Sequence, residues 1–316
     1  MRSITPQSTK DLVIGAGISG LTLGWRLESE SLAILEKSKA LGGRMATRRV
    51  GEYTFDHGAQ FFREGIFPEL EALWTAKDAS TEWFRKGRDR LMCGKGGMTA
   101  LAKVFEERVF REQLVERIEK TEDRWEVTTE KGDVFLSQRV FLTCPLPQSL
   151  KILTNSNLPF PPELNSMLYD KALVGLFGLD PLCKLPTGFD YVDSPSVDVR
   201  MIANQYSKRV SPSPAVTVVM SAEWSEQNFD QDEARTLLMI QRQFEEHLAA
   251  KGLGARIQNA SLKKWRYAFP SKSTACPYLE VMPRLFLLGD AFAHGSLAGA
   301  VASAKALAAQ LRSRLD

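Results

Sequence analysis

The feature that most constrains this chain lies near its start. Asp11-Leu-Val-Ile14 is a short apolar run, followed at once by Gly15-Ala-Gly-Ile-Ser-Gly20. Leu21, Leu23, Trp25 and Leu27 continue as a helix, and a second apolar run, Leu32-Ala-Ile-Leu35, closes on Glu36. Strands buried on both faces read as continuous apolar runs, so the pattern predicts strand, tight turn, helix, strand. Gly15 permits the turn, Gly17 lets a pyrophosphate approach the backbone, and Gly20 allows the helix to pack closely on the strand. The helix N-terminus offers free N–H groups and partial positive charge to a diphosphate. Glu36 stands 21 residues beyond Gly15. A carboxylate there accepts both hydroxyls of an adenosine ribose and repels a 2′-phosphate, which argues against NADP. This surrounding pattern is what gives a GxGxxG its weight.

Composition narrows the classes. The chain has 316 residues, with 41 Lys+Arg against 38 Asp+Glu, 44% hydrophobic and 25% charged residues. Those are the proportions of a globular protein, long enough for about two domains. Near-balanced charge and the lack of an RNA-binding motif argue against a nucleic-acid partner. Cys93, Cys144, Cys183 and Cys276 form no CxxC pair, and His57, His247 and His294 form no cluster. No catalytic metal is expected, and a reducing compartment fits. Met1 to Lys10 are polar, unlike a signal peptide. Apolar runs fall short of the roughly 18 residues a membrane span needs. The expectation is a cytoplasmic protein with no membrane partner.

The predicted fold is α/β, α+β overall: a Rossmann-type dinucleotide domain with a second domain of mixed, largely antiparallel sheet plus helices. Trp125-Glu-Val-Thr-Thr129, a turn at Lys131-Gly-Asp133 and Val134-Phe-Leu136 read as a hairpin, and Arg139 to Thr143 as a buried strand. Gly97 to Glu107 is helix-like. Proline-rich stretches at 144–147 and 158–162 mark a boundary. Beyond it, 172–179, 199–203 and 215–220 read as strands and 232–251 as a long helix. Leu285-Phe-Leu-Leu288, then Gly289-Asp290 and a C-terminal helix, return to the first domain. The reading therefore assigns 1–75, 91–150 and 271–316 to a discontinuous dinucleotide domain, and 76–90 and 151–270 to a substrate domain.

NAD and FAD share the glycine fingerprint, so other segments must decide. Leu41-Gly-Gly-Arg-Met45 again lets backbone approach a phosphate and supplies a cation in Arg44. The small residues of Asp56-His-Gly-Ala-Gln-Phe-Phe62 suit close contact with a flat ring. Asp290 can hydrogen-bond the sugar-like chain of a flavin. The helix starting near Leu297 can face its N1–C2=O edge and favour the anionic reduced form. Together these favour FAD.

Nearly the whole chain, in order, resembles the renalase family, FAD proteins of the monoamine-oxidase-like superfamily. The likeness is carried by GAGISGL, Glu36, LGGRMATRR, DHGAQFF, CGKGGMTAL, Trp224 to Asp230, Lys264 to Pro270 and GDAFAHGSLAGAVASAKALA. It implies an FAD domain of the glutathione-reductase type. It also implies oxidation of misreduced, 2- or 6-dihydro, nicotinamide nucleotides to NAD(P)+, with O2 reduced to H2O2. Carried over by motif, Gly15, Ala16, Gly17, Ile18, Ser19, Gly20, Glu36, Lys37, Gly43, Arg44 and Met45 would line FAD. So would Gly58, Ala59, Gln60, Phe61, Val115, Gly289, Asp290, Ala298, Gly299 and Ala300. Related proteins tend to have Tyr at Phe61 and Glu at Ala298, and the Glu28 to Ser31 connection lacks their usual Gly.

Hydride transfer to a flavin needs no protein acid or base; it needs a donor carbon held over the ring with water excluded. Candidate catalytic residues are therefore positioning groups: Phe61, Trp265, Tyr267 and His294, with Phe62 and Trp224 as further aromatics. Trp265 and Tyr267 sit at alternate positions of an expected strand, where they can hold a flat substrate. His57 reads as structural and His247 as a solvated residue on a helix. No cysteine lies in a covalent flavin-attachment motif, so noncovalent FAD is expected, with a small hydride donor and O2 as partners. An amine oxidase or desaturase of the same superfamily, and a flavoprotein without turnover, are the alternatives.

Overall fold

In a computed structural model the structure describes residues 7–183 and 185–313. The chain divides into two compact units: 1–43, 105–168 and 270–316 form the first, 44–104 and 169–269 the second.

The first unit is built on strand Gln7–Ile14, which runs parallel to Leu32–Glu36 on one side and to Val134–Leu142 on the other. Strand Val109–Arg111 extends the sheet in parallel beyond Leu32–Glu36, and Leu285–Leu288 does so beyond Val134–Leu142. The middle strands are apolar on both faces: Leu12, Val13, Val140, Phe141 and Leu142 are wholly buried. The hairpin of Trp125–Thr129 and Val134–Leu142 forms as the turn residues predict, with Val127 opposite Phe135. Helices Ile18–Leu27 and Leu297–Ser313 pack against each other. The second can do so because Gly299, Ala300, Ser303, Ala304 and Ala308 keep its buried face shallow.

The second unit holds a five-stranded sheet in the order Tyr191–Asp193, Val199–Asn204, Ala215–Met220, Tyr169–Leu179, Ile257–Pro270. The pairings among the first four are antiparallel. Alternation along Tyr169–Leu179 sends Leu173, Phe177 and Leu179 to one face and Ala172, Val174 and Leu176 to the other. The first set packs with Ile240 and Phe244 of helix Glu233–Ala249. The second packs with Tyr53 and Phe55 of the hairpin Thr47–Val50/Tyr53–Asp56. A three-stranded sheet of Phe62–Arg63, Asp89–Gly94 and Ser80–Lys86 completes the unit.

One expectation is corrected, that of a helix over 97–107; the compact units also have bounds of their own, with 44–75 and 91–104 in the second and 151–168 in the first. The hairpin 47–56 buries its aromatics on the second sheet, and helix Leu146–Asn155 ends where Ser156 Oγ accepts the Ile118 N–H at 2.8 Å. The helix expected over 97–107 is only Thr99–Lys103: Gly97, with φ of 125°, cannot enter it at the start, and a separate 3-10 turn, Glu106–Arg108, follows its end.

Candidate functional site

In the first unit the glycine turn forms a cradle. Gly15 has φ of 110°, a conformation L side chains rarely adopt. A Cβ on Gly20 would collide with the Gly15 carbonyl oxygen, so only glycine lets helix and turn meet. Gly17 is different: a Cβ there meets nothing within 4 Å. Gly17 caps helix Ile18–Leu27 with no side-chain hydrogen bond, and the first turn carries no acid. The positive helix end is thus met by neither a capping side chain nor an acid of its own first turn. Ser19 Oγ is buried with no hydrogen-bond partner. An open position over Gly17, an uncapped helix N-terminus and an orphaned hydroxyl fit the diphosphate of a dinucleotide.

Glu36 is 7% exposed at the end of its strand. Its Oε2 accepts the Ala16 N–H at 3.0 Å and its Oε1 the Ser38 N–H at 2.8 Å. The carboxylate is therefore oriented by backbone beside the turn. The second glycine loop folds against the first: the Gly42 N–H donates to the Ala16 carbonyl at 2.9 Å, and Gly17 and Gly42 form a parallel bridge. Cys144 packs under Gly15, and burial pushes its thiol up to about 12. Lys37 is exposed and Val115 is buried in strand Val115–Lys120.

At the chain's end Gly289 holds φ of 136° and donates its N–H to Ser303 Oγ at 2.9 Å. Asp290 is 5% exposed. Helix Leu297–Ser313 starts as expected, and Ser296 Oγ accepts the Gly299 N–H at 3.2 Å. A Cβ on Gly299 would press on the His294 backbone nitrogen. Ala300 is buried and Ala298 half-buried, while His294 is exposed.

The second unit carries Arg44, Met45, Gly58 to Phe61, Trp265 and Tyr267. Arg44 Nη1 donates to the Ala268 carbonyl at 3.0 Å, and its guanidinium lies over Tyr169. A Cβ on Gly58 would collide with the Arg44 carbonyl, and the Ala59 N–H donates to that same oxygen at 2.8 Å, so 44–45 and 58–59 are locked together. Trp265 stacks on His57 at 5.3 Å between centroids and donates its indole N–H to the His57 carbonyl at 2.7 Å. Burial first, then Lys263 and Arg48, hold the His57 imidazole down at about 4, so it is neutral near pH 7; its Nδ1 has no hydrogen-bond partner. Tyr267, on the same strand, meets Tyr169 edge-on at 5.9 Å rather than joining Trp265. Phe61 meets Tyr191 edge-on at 5.2 Å, within a cluster that includes Trp83.

Three sequence readings change. Trp224 belongs to the apolar core under helix Glu233–Ala249, and Phe62 packs on Trp74 at 5.1 Å; both are packing residues. His247 is half-buried against Phe189 at 6.1 Å, not solvated, because its helix turns that side inward.

One arrangement escaped the sequence. Lys208 Nζ lies 2.7 Å from Asp56 Oδ2 and 3.3 Å from Gln60 Oε1. Asp56 Oδ1 accepts from Thr47 Oγ1 at 2.5 Å and the Met98 N–H at 2.8 Å. Gln205 accepts the Asp56 N–H at 3.1 Å and donates to Gln60 Oε1 at 2.9 Å. Thr217 donates to the Asp56 carbonyl at 2.9 Å. The 56–61 segment is fixed by this network. Asp56 and Gln60 stood in a quoted motif, but Lys208 lies in the largely polar stretch Gln205-Tyr-Ser-Lys-Arg209, which carries no motif.

Comparison with known proteins agrees with this geometry. A family model described as an NAD(P)-binding Rossmann-like domain matches residues 13–76, and one described as flavin containing amine oxidoreductase matches 65–312. A protein from Exiguobacterium sp. 255-15, provisionally described as a protoporphyrinogen oxidase, superposes with a TM-score of 0.75 at 13% identity, covering 99% of this chain and all (100%) of that one. A putrescine oxidase variant redesigned in cofactor binding gives 0.70 at 11%, covering 98% of this chain and 100% of that one. A conjugated-linoleic-acid-producing fatty acid isomerase from P. acnes gives 0.66 at 12%, covering 96% and 98%. These likenesses establish the fold. No described helix is long and apolar enough to cross a membrane.

Proposed function

The chain belongs to the flavin-containing amine oxidoreductase family and is a flavin-dependent oxidoreductase, and we propose that it is a renalase-like FAD oxidase of misreduced nicotinamide nucleotides. In this reading the first unit is an FAD domain of the glutathione-reductase type and the second is the substrate domain. The protein works in the cytoplasm.

The cradle over Gly17, the uncapped helix and Ser19 Oγ support a diphosphate, and the backbone-oriented Glu36 supports an adenosine ribose. Ala16, Ile18, Gly20, Lys37, Gly43, Val115, Gly289, Asp290, Ala298, Gly299 and Ala300 complete the first unit's share. Arg44, Met45, Gly58, Ala59, Gln60 and Phe61 form the second unit's share. FAD is held without a covalent bond.

When bound, the flavin supplies a two-electron acceptor: a hydride leaves the donor ring, and O2 with a proton ends as H2O2. The protein's task is to seat the donor. One observation carries the choice of donor: His57, stacked on Trp265, has its pKa lowered by burial first and then by two cations, Lys263 and Arg48. A protonated amine is repelled by such cations, whereas a flat, phosphorylated donor is drawn to them. This favours dihydronicotinamide nucleotides over amines. Trp265 gives the ring a flat partner, Tyr267 and Phe61 shape its surroundings, and His294 borders the helix near Ala298.

The test is an anaerobic visible spectrum of the FAD-loaded protein before and after adding 2- and 6-dihydro-NADH. Rapid bleaching, with H2O2 formed on admitting air, is expected. An oxidised spectrum that ignores both isomers while responding to amines would replace this reading with an amine oxidase. Silence towards every donor would favour a flavoprotein without turnover.

A further inference from the structure

The turn after strand Val199–Asn204 delivers a cation into the interior of the second unit. Asn204 Oδ1 accepts the N–H groups of Tyr206 at 3.0 Å and Ser207 at 3.1 Å, and the Asn204 carbonyl accepts that of Lys208 at 3.2 Å. Asn204 is itself held through Nδ2, which donates to the Phe189 carbonyl at 2.9 Å. This bonding closes the turn and sends Lys208 inward, to the Trp83 ring at 5.0 Å and the Asp56 carboxylate at 2.7 Å. Stability gives little reason for the arrangement, because a buried ion pair replaced by apolar residues of like volume is often no less stable. What the pair imposes is geometry.

That geometry converges on Gln60. Its Nε2 donates to the Asp56 carbonyl at 2.8 Å and to the Gly58 carbonyl at 3.1 Å. Its Oε1 accepts from Gln205 Nε2 at 2.9 Å and from Lys208 Nζ at 3.3 Å. A carboxamide gives two hydrogen bonds and receives two, and all four are made within the protein. An ammonium only donates, so Lys208 fixes which end of the amide faces it and leaves the NH2 end for the two carbonyls. The segment is pinned from inside at Asp56 and Gln60, which are buried, while Gly58, Ala59 and Phe61 remain half-buried. Gly58 and Ala59 have little side chain, so their backbone can lie against a flat ring.

We propose that Lys208 is a positioning residue for the flavin, acting through Gln60 to set the 58–61 surface against the isoalloxazine ring. The role rests on the reading above, in which this segment is the second unit's share of the FAD site. Gln60 then serves the cofactor by its backbone and not by its side chain, whose bonding is already complete. Lys208, with no exposure, touches neither cofactor nor donor. A displaced surface alters how the oxidised and reduced rings are held, and so the flavin's midpoint potential.

The experiment measures that potential in the FAD-loaded protein by anaerobic dye titration, which needs no donor substrate. Lys208→Met and Gln205→Met are each expected to move it by about 30 mV or more, a tenfold change in the relative hold on the two states of a two-electron couple. Gln205→Met strands no charge and carries the test if Lys208→Met fails to load FAD. On a Gln60→Met background the same changes add little, because the residue they act through is gone. Leu248→Ala, in the core under helix Glu233–Ala249, destabilises the unit and leaves the potential where it is. Potentials equal to the parent's in the Lys208 and Gln205 variants, an equal shift in Leu248→Ala, or shifts undiminished on the Gln60→Met background overturn the role. Ala59→Leu tests the segment's placement separately, by FAD titration of the apoprotein. Weaker FAD binding there, with unmoved potentials in the Lys208 and Gln205 variants, overturns the positioning role alone; unaltered FAD binding overturns the placement and the role together.

Discussion

The ammonium of Lys208 lies 2.7 Å from the Asp56 carboxylate, and neither side chain has any exposure to solvent. Two such charges persist out of water only because each is bonded: Lys208 also reaches Gln60 and lies over the Trp83 ring, while Asp56 accepts from Thr47 and Met98. Removing one partner leaves the other charge buried and unmatched, at a cost of roughly 3–5 kcal/mol. Lys208→Met should lower the unfolding free energy by about that amount in urea titrations. Adding Asp56→Asn to it should recover part of the loss, because the stranded charge is gone while an acceptor for Thr47 and Met98 remains. A Lys208→Met protein within about 1 kcal/mol of the parent would show that the pair contributes little.

The three fingerprint glycines separate stability from cofactor binding. Gly20→Ala drives a methyl into the Gly15 carbonyl and brings it 2.7 Å from Thr143 Oγ1, so the cofactor-free protein should lose roughly 1–3 kcal/mol. Gly17→Ala meets nothing within 4 Å in the protein, and Gly17 has an ordinary extended backbone with φ −74° and ψ 173°. Its apoprotein should unfold like the parent, while its FAD dissociation constant rises at least about tenfold, equivalent to about 1.4 kcal/mol. Unfolding of both apoproteins, paired with FAD titration, checks this. Unaltered FAD affinity in Gly17→Ala would place the diphosphate elsewhere.

These glycines were readable in advance because their role is local. Gly15, Gly17, Gly20 and Glu36 act within one strand–helix–strand unit, whose spacing is written in consecutive residues. Leu285–Leu288 and the helix from Leu297 were readable for the same reason: an apolar run and a small-residue stripe each identify themselves. The partition of 44–104 was not, because it depends on where Tyr53 and Phe55 find their sheet, in strands more than a hundred residues away. Lys208 is the extreme case. Its turn is polar, and only the fold brings it to Asp56, 152 positions earlier. The His57–Trp265 stack likewise joins residues 208 apart.

Glu36 tests the ribose end. Its two oxygens each accept a backbone N–H, from Ala16 and Ser38. Glu36→Gln replaces one acceptor by an NH2 group, which opposes the N–H it faces. Hydrogen bonds to a charged group contribute about 1.5–3 kcal/mol, so FAD affinity should fall by about ten- to a hundredfold. Fluorescence titration of the apoprotein with FAD reads this directly. The affinity should fall without a matching change for FMN, which has no adenosine ribose; equal losses for both would mean that Glu36 acts only by shaping the turn.

His57 makes stability depend on acid. Burial, then Lys263 and Arg48, lower its pKa from 6.5 to about 4 in the folded chain. Below pH 6.5 the unfolded chain therefore takes up a proton that the folded chain refuses, so unfolding is favoured as pH falls. The contribution is intact above pH 6.5, declines through the interval down to about 4, and amounts there to about 3 kcal/mol of lost stability. Carboxylates also titrate towards the lower end of that interval, so the comparison must be between variants. Urea unfolding at pH 7 and pH 4.5 should show a smaller loss for His57→Leu than for the parent, by about 2–3 kcal/mol. Leucine removes the imidazole and its Nδ1 while keeping an apolar partner for Trp265, so the pH 7 stability should change less than the pH dependence does. Identical pH dependence in the two proteins would mean that the folded imidazole accepts its proton at an ordinary pH.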